Sequence, residues 1–195
     1  MHVAVKGKDL TVREVVAVAR EGATVSLSSE ARFRIAEASG FVESLLERDR
    51  PVYGVTTGFG KFADVVISPQ DAEELQRNLL LSHASGVGET LPREVVRGIL
   101  LLRANALACG YSGVRVEVVE TLLSMLNAGI HPVVPSQGSV GSSGDLAPLA
   151  HTMLVMIGEG EAEYEGQVMD GASAMSKARI PIVALRAKEG LALIN

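Results

Sequence analysis

The chain has 195 residues, of which 47% are hydrophobic and 21% charged, so its composition is globular and excludes a disordered chain. The formal net charge is −5 without a dominant run of one sign. That pattern excludes the basic footprint of a nucleic-acid-binding protein and a polybasic membrane patch. Aromatic residues make up 4% and Trp is absent, so we expect Leu, Val, Ile and Ala to fill a core of packed helices.

The sequence also predicts the cellular location of the protein. The single cysteine, Cys109, cannot form an internal disulfide, which favours a reducing compartment. Residues 1–10 lack the apolar core of a secretory signal. Apolar stretches such as 98–102 and 152–157 are far too short to span a membrane. We therefore expect a soluble cytoplasmic protein.

Helical periodicity, bounded by capping and stop signals, recurs along the chain. The first helix begins at a capping box, Thr11–Glu14, and should end at Gly22. Further helices are predicted over about 30–48, 69–83, 92–110, 114–128 and 145–157. The tail, 172–195, should form two short helices separated by Pro181.

Two glycine-rich segments, 52–63 and 130–144, have no helical period, and we expect long loops there. Residues 161–169 predict a small β-hairpin that turns at Glu165-Gly166. These helices and one hairpin predict a mainly α fold. We expect residues 1–195 to form one helical domain.

The most informative stretch is Gly138–Leu149, GSVGSSGDLAPL. A flexible Gly/Ser linker has this composition but would not normally run straight into an apolar helix. A phosphate-binding loop needs a different glycine spacing or a terminal Gly-Lys-Ser/Thr. A nucleophile elbow needs Gly-x-Ser-x-Gly, and with Ser143 at its centre the last position is Asp145. These three interpretations are disfavoured.

The stretch resembles the signature of the aromatic amino-acid ammonia-lyases and aminomutases. The resemblance implies that Ser142, Ser143 and Gly144 cyclise into a 4-methylidene-imidazol-5-one. The Gly144 nitrogen would attack the Ser142 carbonyl carbon, and Ser143 would lose its hydroxyl as water. Ser142 departs from the commonest first residue of the triad, which is Ala. Asp145 is implied to assist cyclisation and can also cap the following helix.

Two more segments carry the resemblance. Tyr53–Gly60, YGVTTGFG, is similar to the family's tyrosine loop, although the family usually has Asn where Thr56 stands. It implies that Tyr53 is catalytic and that Gly60 contacts substrate. Leu81–Gly88 is similar to the substrate-selecting segment and implies that His83 faces the substrate ring. A helix-end His that bonds a terminal carbonyl is the alternative role of His83.

Asn195 matches a family asparagine that lines the active site. We treat His2, His131 and His151 as structural, and the sequence shows no metal-ligand spacing. We therefore expect no metal.

The resemblance is strongest to the family's histidine ammonia-lyases. It implies elimination of ammonia from L-histidine to give urocanate, with Tyr53 removing a β-proton and His83 orienting the imidazole. A tyrosine ammonia-lyase or an aminomutase is the alternative within the family. From another class, the alternative is a non-catalytic helical assembly module. The mass of the intact chain separates an enzyme of this family from the non-catalytic module, because cyclisation removes two waters.

Family members are much longer and assemble as homotetramers, with later segments completing each active site. The resemblance therefore implies that this chain is the N-terminal portion, and that its partner is the C-terminal part of the same enzyme. That part could belong to the same polypeptide or to a separate chain. We expect the chain alone to be inactive and to expose a large apolar surface.

Overall fold

A computed structural model describes residues 1–46, 51–58, 67, 69–138 and 146–195. The elements in chain order are β1 (His2–Val5), α1 (Val12–Glu21), β2 (Thr24–Leu27), α2 (Ser29–Leu46), α3 (Pro69–His83), β3 (Val87–Thr90), α4 (Arg93–Leu107), α5 (Val116–Ala128), β4 (His131–Pro132), β5 (Pro135–Gln137), α6 (Leu146–Leu154), a 3-10 turn (Val155–Ile157), β6 (Glu161–Tyr164), β7 (Gln167–Asp170), α7 (Gly171–Lys177) and α8 (Glu189–Ile194). The fold is mainly α with small sheets, as the sequence predicts.

The ends of the helices follow their local chemistry. The Thr11 hydroxyl accepts a hydrogen bond from the Glu14 amide, and the Glu14 carboxylate accepts one from the Thr11 amide at 2.8 Å. This is the predicted capping box of α1. Gly22 then ends α1 in a left-handed conformation (φ 70°), as does Gly129 after α5 (φ 75°). These predicted boundaries are confirmed.

The core is built on α4 and α5, which pack against each other, with α1 against α4. The largest fully buried side chains are aliphatic or methionine: Ile35, Leu80, Leu100, Leu101, Leu107, Leu122, Met125, Leu126, Ile130, Met153, Met156 and Met175. The sequence correctly predicted an aliphatic core but not the share that methionine takes in it. No aromatic side chain is buried among the described residues.

A parallel pair of strands, β1 and β2, was not predicted. Val3 lies opposite Val25, and both side chains are buried while their strand neighbours are exposed. The Asn127 side chain bonds the main chain of Val25, accepting from its amide at 2.8 Å and donating to its carbonyl at 2.9 Å. Strands of four residues give too short an alternation to separate from a loop by sequence alone.

The predicted hairpin is present as β6 and β7, joined at Glu165-Gly166 with positive φ at both residues (50° and 79°). This backbone matches the twist of the strands that it joins. The expectation of a plain loop over 130–144 is wrong for part of that range. There, β4 extends the hairpin into a three-stranded sheet, and β5 pairs antiparallel with β3.

The described part of the chain contains no helix that is both long enough and apolar enough to cross a membrane.

Candidate functional site

The segments that flank the predicted Ser-Ser-Gly triad lie against the segment that follows His83. Helices α3, α6 and α8 pack against one another, and β3 pairs with β5 so that Val87 lies opposite Gln137. A Cβ added at Gly138 would lie 3.1 Å from the Gly86 Cα. The backbone at the start of the triad loop therefore touches the turn after α3.

Five of the predicted site residues lie outside the described residues. They are Gly60, Ser142, Ser143, Gly144 and Asp145. The described residues on the two sides of the triad extend up to Gly138 and begin again with Leu146 at the start of α6.

His83 is the last residue of α3 and is partly buried. Its Nδ1 lies 2.8 Å from the Leu79 carbonyl oxygen and 3.2 Å from Ser82 Oγ. Because a carbonyl oxygen only accepts, Nδ1 donates to it and carries the ring proton. In the neutral ring Nε2 is then an acceptor. The carbonyl bond considered as the alternative role of His83 is present, and it is compatible with a substrate role for Nε2.

Asn195 follows α8, whose last carbonyl groups are bonded by Arg103 of α4. Arg103 donates from Nε to the Leu193 carbonyl oxygen at 2.7 Å. Its Nη2 donates to the carbonyl oxygens of Ala192 at 2.9 Å and Asn195 at 2.6 Å. Arg103 therefore ties α4 to the backbone of Ala192, Leu193 and Asn195.

The other end of α8 is fixed by a buried carboxylate. Glu189 is 2% exposed and accepts hydrogen bonds from Arg115 through N at 3.0 Å and through Nε and Nη2 at 2.9 Å each. It also accepts the Arg186 amide at 2.7 Å. Hydrogen bonding to Glu189 is the largest cause that raises the pKa of the Arg115 guanidinium. The carboxylate is therefore paired on both oxygens.

Tyr53 lies on a groove of about 720 Å³ between α2 and the turn at 109–113. Its side chain is 60% exposed. Lys188, which precedes α8, lines the same groove and donates from Nζ to the Ser112 carbonyl at 2.8 Å. Burial lowers the pKa of Lys188. The groove thus reaches one end of α8, while Asn195 lies at the other, about 10 Å along the helix axis.

The structure brings the end of α3 with His83, the flanks of the triad loop and the helix that carries Asn195 into one packed cluster. It puts Tyr53 on a separate groove at the opposite end of α8. Arg103 and Glu189 were not predicted from the sequence. For Arg103 the available signal was a single charged residue inside an apolar helical stretch, because such a residue is seldom buried without partners. Glu189 gave no such signal, because Arg186 and Lys188 precede it in the sequence.

The family profile for aromatic amino acid lyases matches residues 10–195. The chain therefore belongs to the aromatic amino acid lyase family. This confirms the resemblance inferred from the three sequence motifs.

The histidine ammonia-lyase of Alkaliphilus metalliredigens (strain QYMF) is 61% identical over 193 residues, which are 99% of this chain and 38% of the relative. The structure of histidine ammonia-lyase from Trypanosoma cruzi is 40% identical with a TM-score of 0.92, over all of this chain and 37% of that one. Tyrosine aminomutase from Streptomyces globisporus is also 40% identical, with a TM-score of 0.91, over all of this chain and 36% of that one. The chain therefore spans little more than a third of these relatives.

Proposed function

We propose that this chain is the N-terminal portion of an ammonia-lyase that eliminates ammonia from L-histidine and yields urocanate. The observation that carries the proposal is the contact between Gly86 and Gly138, which joins the His83 segment to the triad loop. The choice of histidine is supported by the 61% identity to a histidine ammonia-lyase.

The described framework fits a methylidene-imidazolone made from Ser142, Ser143 and Gly144. A Cβ at Gly138 would lie 3.0 Å from the Ala147 Cβ, so the described residues before and after the triad lie close together. The residue types of the triad suit attack of one backbone nitrogen on a nearby carbonyl, because glycine leaves the approach open. The group would supply an electrophilic carbon for the substrate amine. Asp145 would assist its formation.

The side chains of the chain then have separate tasks. His83 would accept the imidazole N–H of the substrate at Nε2 and so fix the ring, a contribution of orientation. The phenolic oxygen of Tyr53 would take the proton from the β-carbon of the substrate. Asn195 and Gly60 would bind the substrate. Since Tyr53 lies on a groove apart from His83 and Asn195, we propose that assembly with further copies brings a Tyr53 and a His83 into one active site.

The proposed partners are an amino-acid substrate and the C-terminal part of the same enzyme, in a homotetramer or an equivalent assembly. We propose a cytoplasmic location. Without the C-terminal part, the chain should be inactive.

Replacement of the central triad residue tests the chemistry. In the complete protein that contains this chain, Ser143→Ala should abolish conversion of histidine to urocanate, because alanine has no hydroxyl to lose and no methylidene can form. The parent should weigh two waters less than its encoded mass, and the variant should not. Ser139→Ala, in the same loop but outside the triad, is the matched control. An active parent of unchanged mass would contradict the proposal, and an inactive one would favour the non-catalytic assembly module.

The substrate is tested at His83. His83→Phe should weaken histidine turnover at least about tenfold and shift preference toward phenylalanine, because the polar partner of the imidazole is replaced by an apolar ring. Product analysis with histidine, tyrosine and phenylalanine measures this. The 40% identity to a tyrosine aminomutase makes tyrosine the second candidate. Faster turnover of tyrosine than of histidine by the parent, or a β-amino acid product, would select that alternative.

A further inference from the structure

A histidine outside the predicted catalytic set joins the His83 turn to α6. His151 lies in α6, and its Nε2 accepts a hydrogen bond from the Gly86 amide at 3.0 Å. Gly86 is three residues beyond His83. The turn between them contains a 2.8 Å bond from the Ser85 amide to the His83 carbonyl oxygen. His151 therefore holds the far end of a short turn that begins at His83.

The contact is close as well as polar. A Cβ at Gly86 would lie 3.1 Å from His151 Nε2, 3.3 Å from His151 Cδ2 and 3.2 Å from the Pro135 Cβ. The imidazole thus packs directly on the Gly86 backbone. Gly138 approaches the same Gly86, and the Ala147 Cβ would meet a Cβ on Gly138 at 3.0 Å. The turn after α3, the start of the triad loop and α6 therefore meet at one point.

The bond requires a neutral ring, because Nε2 accepts only while its lone pair is free. Burial lowers the pKa of His151, and no charged side chain among the described residues adds to that shift. The environment thus favours the protonation state that the bond needs.

We propose that His151 is a positioning residue, which fixes the His83 turn against α6 through the Gly86 amide and so sets the place of His83 relative to α6, the helix that follows the triad in sequence. This rests on the proposed function. The residue acts through Gly86 and His83 and does not itself contact substrate.

The test compares two replacements of His151 in the complete protein. His151→Gln puts an amide oxygen near the position of Nε2 and should keep the acceptor, whereas His151→Leu removes it. We expect His151→Leu to lose at least about tenfold in kcat/KM for histidine, with KM raised, while His151→Gln stays within about threefold of the parent. His131→Leu, at another partly buried His, is the control for a general loss of stability.

Hydrogen–deuterium exchange of the segment 84–88 provides a readout that does not depend on substrate. Exchange should be faster in His151→Leu than in the parent and unchanged in His151→Gln, because only Leu releases the Gly86 amide. Unchanged exchange in His151→Leu would overturn the contact. Faster exchange with unaltered kinetics in an active enzyme would overturn the positioning role. A parent that does not convert histidine would refute the proposed function, while the exchange result would still decide whether His151 holds the turn.

Discussion

Among single residues, we expect those with buried and paired charges to have the largest effects on stability. The motifs around Tyr53, His83 and the triad could be recognised from the sequence because their residue types are unusual in combination. The roles of Arg103 and Glu189 could not be recognised from the sequence, since they depend on which distant carbonyl or guanidinium group the fold brings to them. The Arg115–Glu189 pair joins residues that are 74 positions apart, which no local pattern records.

Glu189→Gln should lower the free energy of unfolding by about 3 kcal/mol, because Arg115 then keeps its charge in a largely buried position with only the exposed carboxylate of Glu117 as a partner. The side chains of Arg115 and Glu189 are 17% and 2% exposed. The same substitution at Glu120, whose ion pair with Arg32 is exposed, should cost less than about 1 kcal/mol. Urea unfolding of both variants measures the difference, and equal losses would contradict the assignment.

At the scale of elements, helix boundaries were well predicted, because capping residues and glycine stops act locally. The two-stranded pairs were missed, since β1–β2 and β3–β5 are short and depend on contacts distant in sequence. The packing of α8 on α3 could not be predicted from the sequence either. Gly190 approaches α3 so closely that an added Cβ would lie 2.9 Å from the Gln76 carbonyl oxygen.

Gly190→Ala should therefore destabilise the protein by about 1–3 kcal/mol, because the clash is with backbone and α8 must move away from α3. Gly98→Ala is the matched control. Gly98 lies inside α4, and a Cβ there would have no neighbouring heavy atom within 4 Å beyond the backbone of its own helix. That change should stabilise by about 0.5–1 kcal/mol through helix propensity. Thermal unfolding should move in opposite directions for the two variants, and a shift of the same sign would refute the packing argument.

For the whole molecule, composition correctly predicted a helical fold with an aliphatic core. Where the aromatic residues lie could not be predicted. Phe41, Tyr53 and Tyr111 line the same groove and are 59%, 60% and 92% exposed. Large exposed rings at one groove are typical of a surface that another chain covers. The expectation that the isolated chain exposes an apolar surface and associates stays a prediction.

The global stability should depend on pH below neutrality. Burial is the largest cause that lowers the pKa of both His131 and His151. A lowered pKa in the folded state means that the unfolded chain binds protons more readily. The contribution of the two histidines to stability is therefore complete above about pH 6.5, and it is lost as the pH falls through their folded-state pKa values. Urea unfolding between pH 8 and pH 5 should show this loss, and a smaller one in His151→Gln. An equal loss in that variant would contradict it.

The first five residues have a consequence for protein engineering. Val3 and Val5 are 1% and 0% exposed, and the Met1 carbonyl oxygen accepts the Thr24 amide at 3.2 Å. Deleting this segment from an expression plasmid would remove two buried side chains and leave β2 without its partner strand β1. A purification tag at this end should be joined to Met1 through a flexible spacer, so that residues 1–5 can still pack beside β2.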